Sequence, residues 1–273
     1  MIVFPNCKIN LGLRILRKRT DGYHDLETIF YPLHLRDVLE VVQIPDGSQQ
    51  TTTHFTTSGM DAGKEQDNLC MKAYQLLKKD FASLPSINMH LHKAIPSGAG
   101  LGGGSSDAAF TLKLLNEKFS LGLNEKQLIG YSVQLGSDCP FFIINKPSYA
   151  TGRGEILEEI NPDLSAYKFI IVYPGIHSST ANAFENINPA VPVKSVKDIV
   201  QRPVEAWKEE LVNDFEKPLF EQHPELRNIK QQLYDSGAVY AAMSGSGSSV
   251  YGIFRKEMNI SFRTDYFVKE LIS

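Results

Sequence analysis

The chain has 273 residues, enough to bury a sizeable core as one large domain or two small ones. With 42% hydrophobic residues, 22% charged residues and a formal net charge of −3, its dispersed Lys and Arg offer no concentrated basic surface for a nucleic acid. Cys7, Cys70 and Cys139 are odd in number and widely spaced, with no CxxC and no HExxH, which excludes a disulfide framework or zinc site and reads as reduced thiols in a cytoplasmic protein.

The N-terminal MIVFPNCKIN lacks a basic-then-apolar signal pattern, and no apolar run reaches membrane-spanning length. From Cys7 to Ile15 the apolar residues are odd-numbered and the polar ones even-numbered, so a strand puts Lys8, Asn10, Gly12 and Arg14 on one face. That face is either solvated or the wall of a site. Asp21-Gly22 marks a turn that presents Tyr23 and His24 together. Strands are predicted over Leu26–Leu33 and Val38–Ile44, and a hairpin with loops over Asp46–Lys64. Asp67-Asn68 opens a helix carrying Leu69, Ala73, Leu76 and Leu77.

Next, Ile87, Met89 and Leu91 alternate along a strand that enters Lys93–Phe110, where five of the twenty glycines gather (98, 100, 102, 103 and 104). Pro96 keeps Ile95 extended. A helix pattern leaves the run behind Ser105-Ser106-Asp107, with Ala108, Ala109, Leu112, Leu115 and Phe119 at helical spacing. Strand, glycine loop and helix bring bare N–H groups and a helix N-terminus to one point, which suits a phosphate chain. Asp107 at that terminus reads as a complement to the helix dipole and not as a catalytic group. Gly98-x-Gly100-x-x-Gly103 matches the dinucleotide fingerprint, but Glu117, the nearest acidic candidate, lies inside the following helix. Gly104-Ser105 stands where a Walker loop needs Lys-Ser/Thr, and there is neither HRD nor DFG. The loop is therefore a phosphate device of another kind.

A second helix pair is predicted to end near Leu135, and Gly136-Ser137-Asp138-Cys139-Pro140 then leads into an apolar strand through Ile144. Asp138 is either a turn residue or a carboxylate held at the rim of a cleft, suited to act as a base. Ala150–Glu155 reads as a tight hairpin and the domain junction, and Tyr167–Tyr173 as a buried strand. Ser178-Ser179-Thr180 caps a helix through Phe184, residues 188–204 form an irregular connection, and a helix spans about Glu225–Ser236. Strands at Ala238–Met243 and Val250–Phe254 flank Ser244–Ser249, a glycine-serine turn whose backbone can approach something closely. The fold class is α+β, with antiparallel sheets and helices segregated to one side.

Taken together, Pro5–Leu11, Pro96–Ser106 and Ser244–Gly247 resemble the galactokinase–homoserine kinase–mevalonate kinase–phosphomevalonate kinase (GHMP) superfamily. Lys8–Leu11, Arg19–His24 and Leu101–Ala109 resemble one branch of it, in which Cys7 stands where Ala is usual. The resemblance implies a ribosomal-S5-domain-2-like ATP-binding part over 1–154, a ferredoxin-like part over 155–273, and a cleft between them. It implies that Pro96, Ser97, Gly98, Ala99, Gly100, Leu101, Gly102, Gly103, Gly104, Ser105 and Ser106 wrap the triphosphate of ATP, with Ser105 or Ser106 near Mg²⁺. Lys8 and Asp138 match the catalytic pair, and Asn10 matches a substrate-holding residue. Tyr23, His24 and Phe184 match positions that hold a cytosine, with Thr180 in the same pocket. The implied activity is ATP-dependent phosphorylation of the 2-hydroxyl of 4-diphosphocytidyl-2-C-methyl-D-erythritol, in the non-mevalonate route to isoprenoid precursors. The implied partner is that small cytidine diphosphate, with no nucleic acid or membrane, for a monomer or homodimer. The alternatives are a GHMP-type kinase of mevalonate or homoserine, a nicotinamide-dependent oxidoreductase, and a binding module that would leave Lys8 and Asp138 unexplained.

Overall fold

The structure, a computed structural model, describes residues 1–45, 52–178, 183–184, 187–258 and 265–272. The chain forms two compact units. One comprises Met1–Cys7, Leu35–Ser97 and Gly102–Asn145, the other Lys8–His34, Gly98–Leu101 and Lys146–Ser273.

In the first unit a four-stranded sheet runs in the order β1 (Ile2–Val3), β4 (Val38–Gln43), β6 (Ile87–Lys93), β5 (His54–Gly59). The predicted hairpin over Asp46–Lys64 is, in its described part, the single strand β5, which pairs with β6 in parallel, His54 opposite Asn88. Parallel neighbours need a crossover between them. Here α1 (Leu69–Asp80) lies on that crossover, started by Asn68, whose side chain accepts from the Cys70 amide at 2.9 Å. Along β6 the inward residues are Ile87, Met89, Leu91 and Lys93, the alternation seen in the sequence.

Three further helices complete this unit: α2 (Gly103–Lys118), α3 (Glu125–Ser132) and α4 (Cys139–Ile144). The expectation of a strand after Asp138 is corrected by α4. Pro140 in the first turn has the φ a helix wants, and Asn145, at φ 55°, closes it after six residues. A short run of Phe141, Phe142, Ile143 and Ile144 has no period that separates strand from helix, and packing on α2 and α3 decides it.

In the second unit one sheet runs β2 (Asn6–Lys18), β3 (His24–Arg36), β7 (Ser148–Thr151), β8 (Ile156–Glu159). The other runs β10 (Tyr240–Met243), β11 (Val250–Arg255), β9 (Tyr167–Tyr173), β12 (Phe267–Ile272), antiparallel throughout. The units interleave along the chain, and β3 pairs with β7 across more than a hundred residues. Within 188–204, expected to be irregular, Ser195 caps the short helix α5 (Val196–Val200). Helices α6 (Glu216–Gln222) and α7 (Pro224–Asp235) follow. Leu13 and Ile15 of β2, Ile170 and Val172 of β9, Leu226, Ile229 and Leu233 of α7, and Met243 and Val250 share one core. Each such side chain contributes about 1.5–3 kcal/mol by leaving water.

Ala183 and Phe184 are helical, whereas Ser179 and Thr180 lie outside the described residues, and with them most of the predicted cap. All three cysteines are buried free thiols. Among the described residues no helix is long and apolar enough to cross a membrane, and no group of three or more His, Cys, Asp or Glu could hold a metal ion.

Candidate active site

The polar face of β2 is buried at its start. Lys8 and Asn10 are 3% and 2% exposed, so this face is walled in and not solvated. The Lys8 ammonium donates to Asn10 Oδ1 at 2.5 Å and stands 5.0 Å from the centre of the Phe30 ring. Asn10 Nδ2 donates in turn to Thr28 Oγ1 at 2.9 Å.

The first glycine loop and the second glycine-serine turn meet here. The Lys8 amide donates to the Leu101 carbonyl at 2.9 Å, and the Ser249 amide to the Ala99 carbonyl at 3.1 Å. Ser244 Oγ donates to the Gly100 carbonyl at 2.8 Å and lies 3.3 Å from the Asn10 amide nitrogen, whose proton it accepts. Asn213 Nδ2 holds the turn from behind, reaching the Met243 and Gly245 carbonyls at 2.8 Å each. The partner of the glycine-serine turn is thus residues 98–101. His177, which no sequence pattern singled out, also lies on this loop, its ring about where a side chain on Gly98 would begin.

Burial along the loop alternates. Pro96, Ala99, Leu101 and Gly103 are buried, whereas Ser97, Gly98 and Gly104 are exposed. The small apolar side chains anchor the loop and leave Gly98 and Gly104 on the surface. Gly102, left-handed at φ 70°, is the N-cap of α2, so the helix begins two residues before the predicted Ser105. A residue with no Cβ takes that conformation without strain.

In the first unit Ser106 Oγ is buried and has no hydrogen-bond partner among the described residues. Ser105, one residue earlier, shares a hydrogen bond with the Cys139 thiol at the head of α4. Asp138 is the N-cap residue of α4, half-buried, and its side chain makes no capping bond.

Asp107 has a different setting from the one expected of it. It is 3% exposed, and its carboxylate accepts from the Lys93 ammonium at 2.8 Å. Lys93 also donates to Asp37, whose other oxygen accepts from the Ala94 and Ile95 amides at 2.6 and 2.9 Å. Burial pushes the Asp107 carboxyl up to about 7, against the Lys93 ammonium and with the Asp37 charge adding to it. Its hydrogen bond with Lys93 joins the end of β6 to the first turns of α2.

The aromatic residues of the DGYH turn divide. His24 stacks on Phe184, ring centres 4.9 Å apart and planes 15° from parallel, and Phe184 meets Phe215 edge-on at 4.9 Å. Burial, with the charge of Lys18, pushes the His24 imidazole below its ordinary value. The Tyr23 ring remains 56% exposed, and the Arg153 guanidinium lies over it at 4.8 Å. Arg153 and Thr28 were not legible as site residues, because nothing local marks a residue whose partner is remote.

The family model for the GHMP kinases N terminal domain matches residues 68–146, and that for the GHMP kinases C terminal region matches residues 195–266. A 4-diphosphocytidyl-2-C-methyl-D-erythritol kinase of Bacteroides thetaiotaomicron is 55% identical over 94% of this chain and 93% of its own. One of Porphyromonas gingivalis is 47% identical over 94% and 93%. The chain belongs to the GHMP kinases, in the branch of these relatives. It is a small-molecule kinase with the α+β fold of that family. A solved 4-(cytidine 5'-diphospho)-2C-methyl-D-erythritol kinase superposes with a TM-score of 0.78 at 30% identity, over 93% of this chain and 90% of that one. The mevalonate kinase of Methanococcus jannaschii, at 13% identity and a TM-score of 0.71 over 100% and 98%, shares the fold alone.

Exposed glycine backbone and the start of α2 offer N–H donors and positive partial charge of the kind that suits a phosphate. The Ser106 hydroxyl, a buried oxygen left over by the fold, is of the hard donor type that Mg²⁺ takes, so the residues present fit that ion.

Proposed function

We propose that this kinase transfers the γ-phosphoryl group of ATP to the 2-hydroxyl of 4-diphosphocytidyl-2-C-methyl-D-erythritol. What carries the reading is the agreement with relatives of that name along nine-tenths of the chain, at 47–55% identity. The neutral, half-buried imidazole of His24 supports it, because such a ring offers one donor and one acceptor to a base edge.

In this reading the loop from Pro96 to Ser106 wraps the triphosphate and Ser106 Oγ holds Mg²⁺, which when bound neutralises charge on the phosphate oxygens. Asp138 accepts the proton of the attacking hydroxyl as the new O–P bond forms and the bond to ADP breaks. The Lys8 ammonium, oriented by Asn10, supplies fixed positive charge to the phosphoryl group in flight. Asn10 holds the alcohol end of the substrate. Tyr23, His24 and Phe184, with Thr180, hold the cytosine.

The test is ADP release coupled to a spectrophotometric readout, with the cytidine diphosphate alcohol, mevalonate and homoserine offered in turn. Turnover with the first alone is expected, and turnover with either of the others instead would overturn the substrate. Asp138→Asn is expected to lower kcat by about 10²–10⁴ with ATP affinity unchanged. A variant with wild-type kcat would remove Asp138 from the role of base.

A further inference from the structure

Thr28 stands behind Asn10 on β3, and its single proton is already committed. Its hydroxyl donates to the Gly12 carbonyl at 2.5 Å, so toward Asn10 it can only accept. Asn10 Nδ2 makes that donation at 2.9 Å. The amide is thereby oriented with Oδ1 toward the Lys8 ammonium, which has three donors and no acceptor. Reversing the amide would set an N–H₂ against the ammonium and a carbonyl oxygen against the Thr28 lone pairs.

The rest of Asn10 is already held. Its carbonyl accepts from the Tyr251 hydroxyl at 2.8 Å, and its amide meets Ser244 Oγ. Rotation of the side-chain amide is therefore the freedom left for Thr28 to remove. Thr28 is fully buried, so no water competes for either bond. Gly12, which supplies the acceptor, is left-handed in mid-strand at φ 68°.

We infer that Thr28 is a positioning residue for the phosphoryl-transfer step: through Asn10 it sets the place of the Lys8 ammonium. The inference rests on the reading that Lys8 acts in the transfer. It goes beyond that reading by naming a hydroxyl that touches neither substrate.

Thr28→Val keeps shape and removes the hydroxyl, whereas Thr28→Ser keeps the hydroxyl and removes a methyl. Thr28→Val is expected to lower kcat by about ten- to a hundred-fold, by analogy with the partners that orient metal ligands. KM for ATP, which Asn10 does not hold, should stay within about two-fold. Thr28→Ser should recover most of the loss. Should Thr28→Val fail to fold, Thr28→Ala against Thr28→Ser makes the same comparison of hydroxyl absent and present. Wild-type kcat in Thr28→Val, or equal impairment of the Val and Ser variants, would overturn the inference. Lys8→Met separates the two levels. If it is inactive while Thr28→Val is unimpaired, the inference alone falls. If Lys8→Met keeps wild-type kcat, the reading of Lys8 falls and the inference with it.

Discussion

Ser244 and Gly100 are in backbone contact: a Cβ built on Gly100 would come within 2.0 Å of the Ser244 carbonyl oxygen. No real side chain tolerates that distance, and Gly100 is also left-handed at φ 77°. Gly100→Ala must therefore shift either the loop or the turn, besides about 1–2 kcal/mol of left-handed strain. A lowered Tm and a weakened ATP affinity are expected together. An unchanged Tm would show that the glycine-serine turn can move aside.

Gly104 behaves oppositely. A Cβ there would meet only Leu69 Cδ1 at 3.9 Å, and the position is exposed in the first turn of α2. The protein itself has room for alanine. By helix propensity, Gly104→Ala should stabilise the fold by about 0.5–1 kcal/mol. If the phosphates approach this backbone, ATP affinity must fall while Tm rises. Calorimetric titration and a thermal melt on one sample decide it, and ATP affinity unchanged would move the phosphates away from Gly104.

A ring stack is indifferent to which base it holds, since every base has a π-face. Discrimination must come from hydrogen bonds to the base edge, where cytosine offers an amino donor and uracil an acceptor. A buried polar group left unpaired by the wrong base costs about 1–3 kcal/mol. The cytidine substrate is thus expected to be preferred over its uridine analogue in kcat/KM. Tyr23→Ala should weaken both, whereas replacing His24 should narrow the gap. Because the His24 pKa is lowered, its neutral form prevails at neutral pH, and acidification should erode the preference as the ring gains a proton. Equal kcat/KM for the two analogues would dismiss the cytosine pocket and leave the kinase standing.

The Asp107 carboxyl is raised from 3.8 in the unfolded chain to about 7 in the folded one. Between these values the folded state holds more protons than the unfolded, so stability falls as pH rises. Its protonation stabilises the fold fully below about 3.8 and ceases to do so above about 7. Asp107→Asn has no such dependence. The stability of this variant relative to the wild type should therefore improve steadily from pH 4 to pH 8 in urea unfolding. A constant difference across that range would mean that Asp107 stays ionised beside Lys93.

The sequence by itself determined what rests on local period and local chemistry. Alternation in Ile87, Met89 and Leu91 is enough for β6, Asn68 for the start of α1, and the glycine run for a loop joining strand to helix. The branch motifs around Lys8, Tyr23 and Gly102 were enough for the family. The tertiary structure decided every relationship between remote segments. It made Phe141–Ile144 a helix, because a short apolar run takes its form from what packs on it. It paired His24 with Phe184 across 160 positions, Ser244 with Gly100 across 144, and Asp107 with Lys93 and Asp37 in a buried ion cluster. A buried polar group must find a partner, and the chain names the group. Only the packed fold decides which partner comes within 3 Å of it.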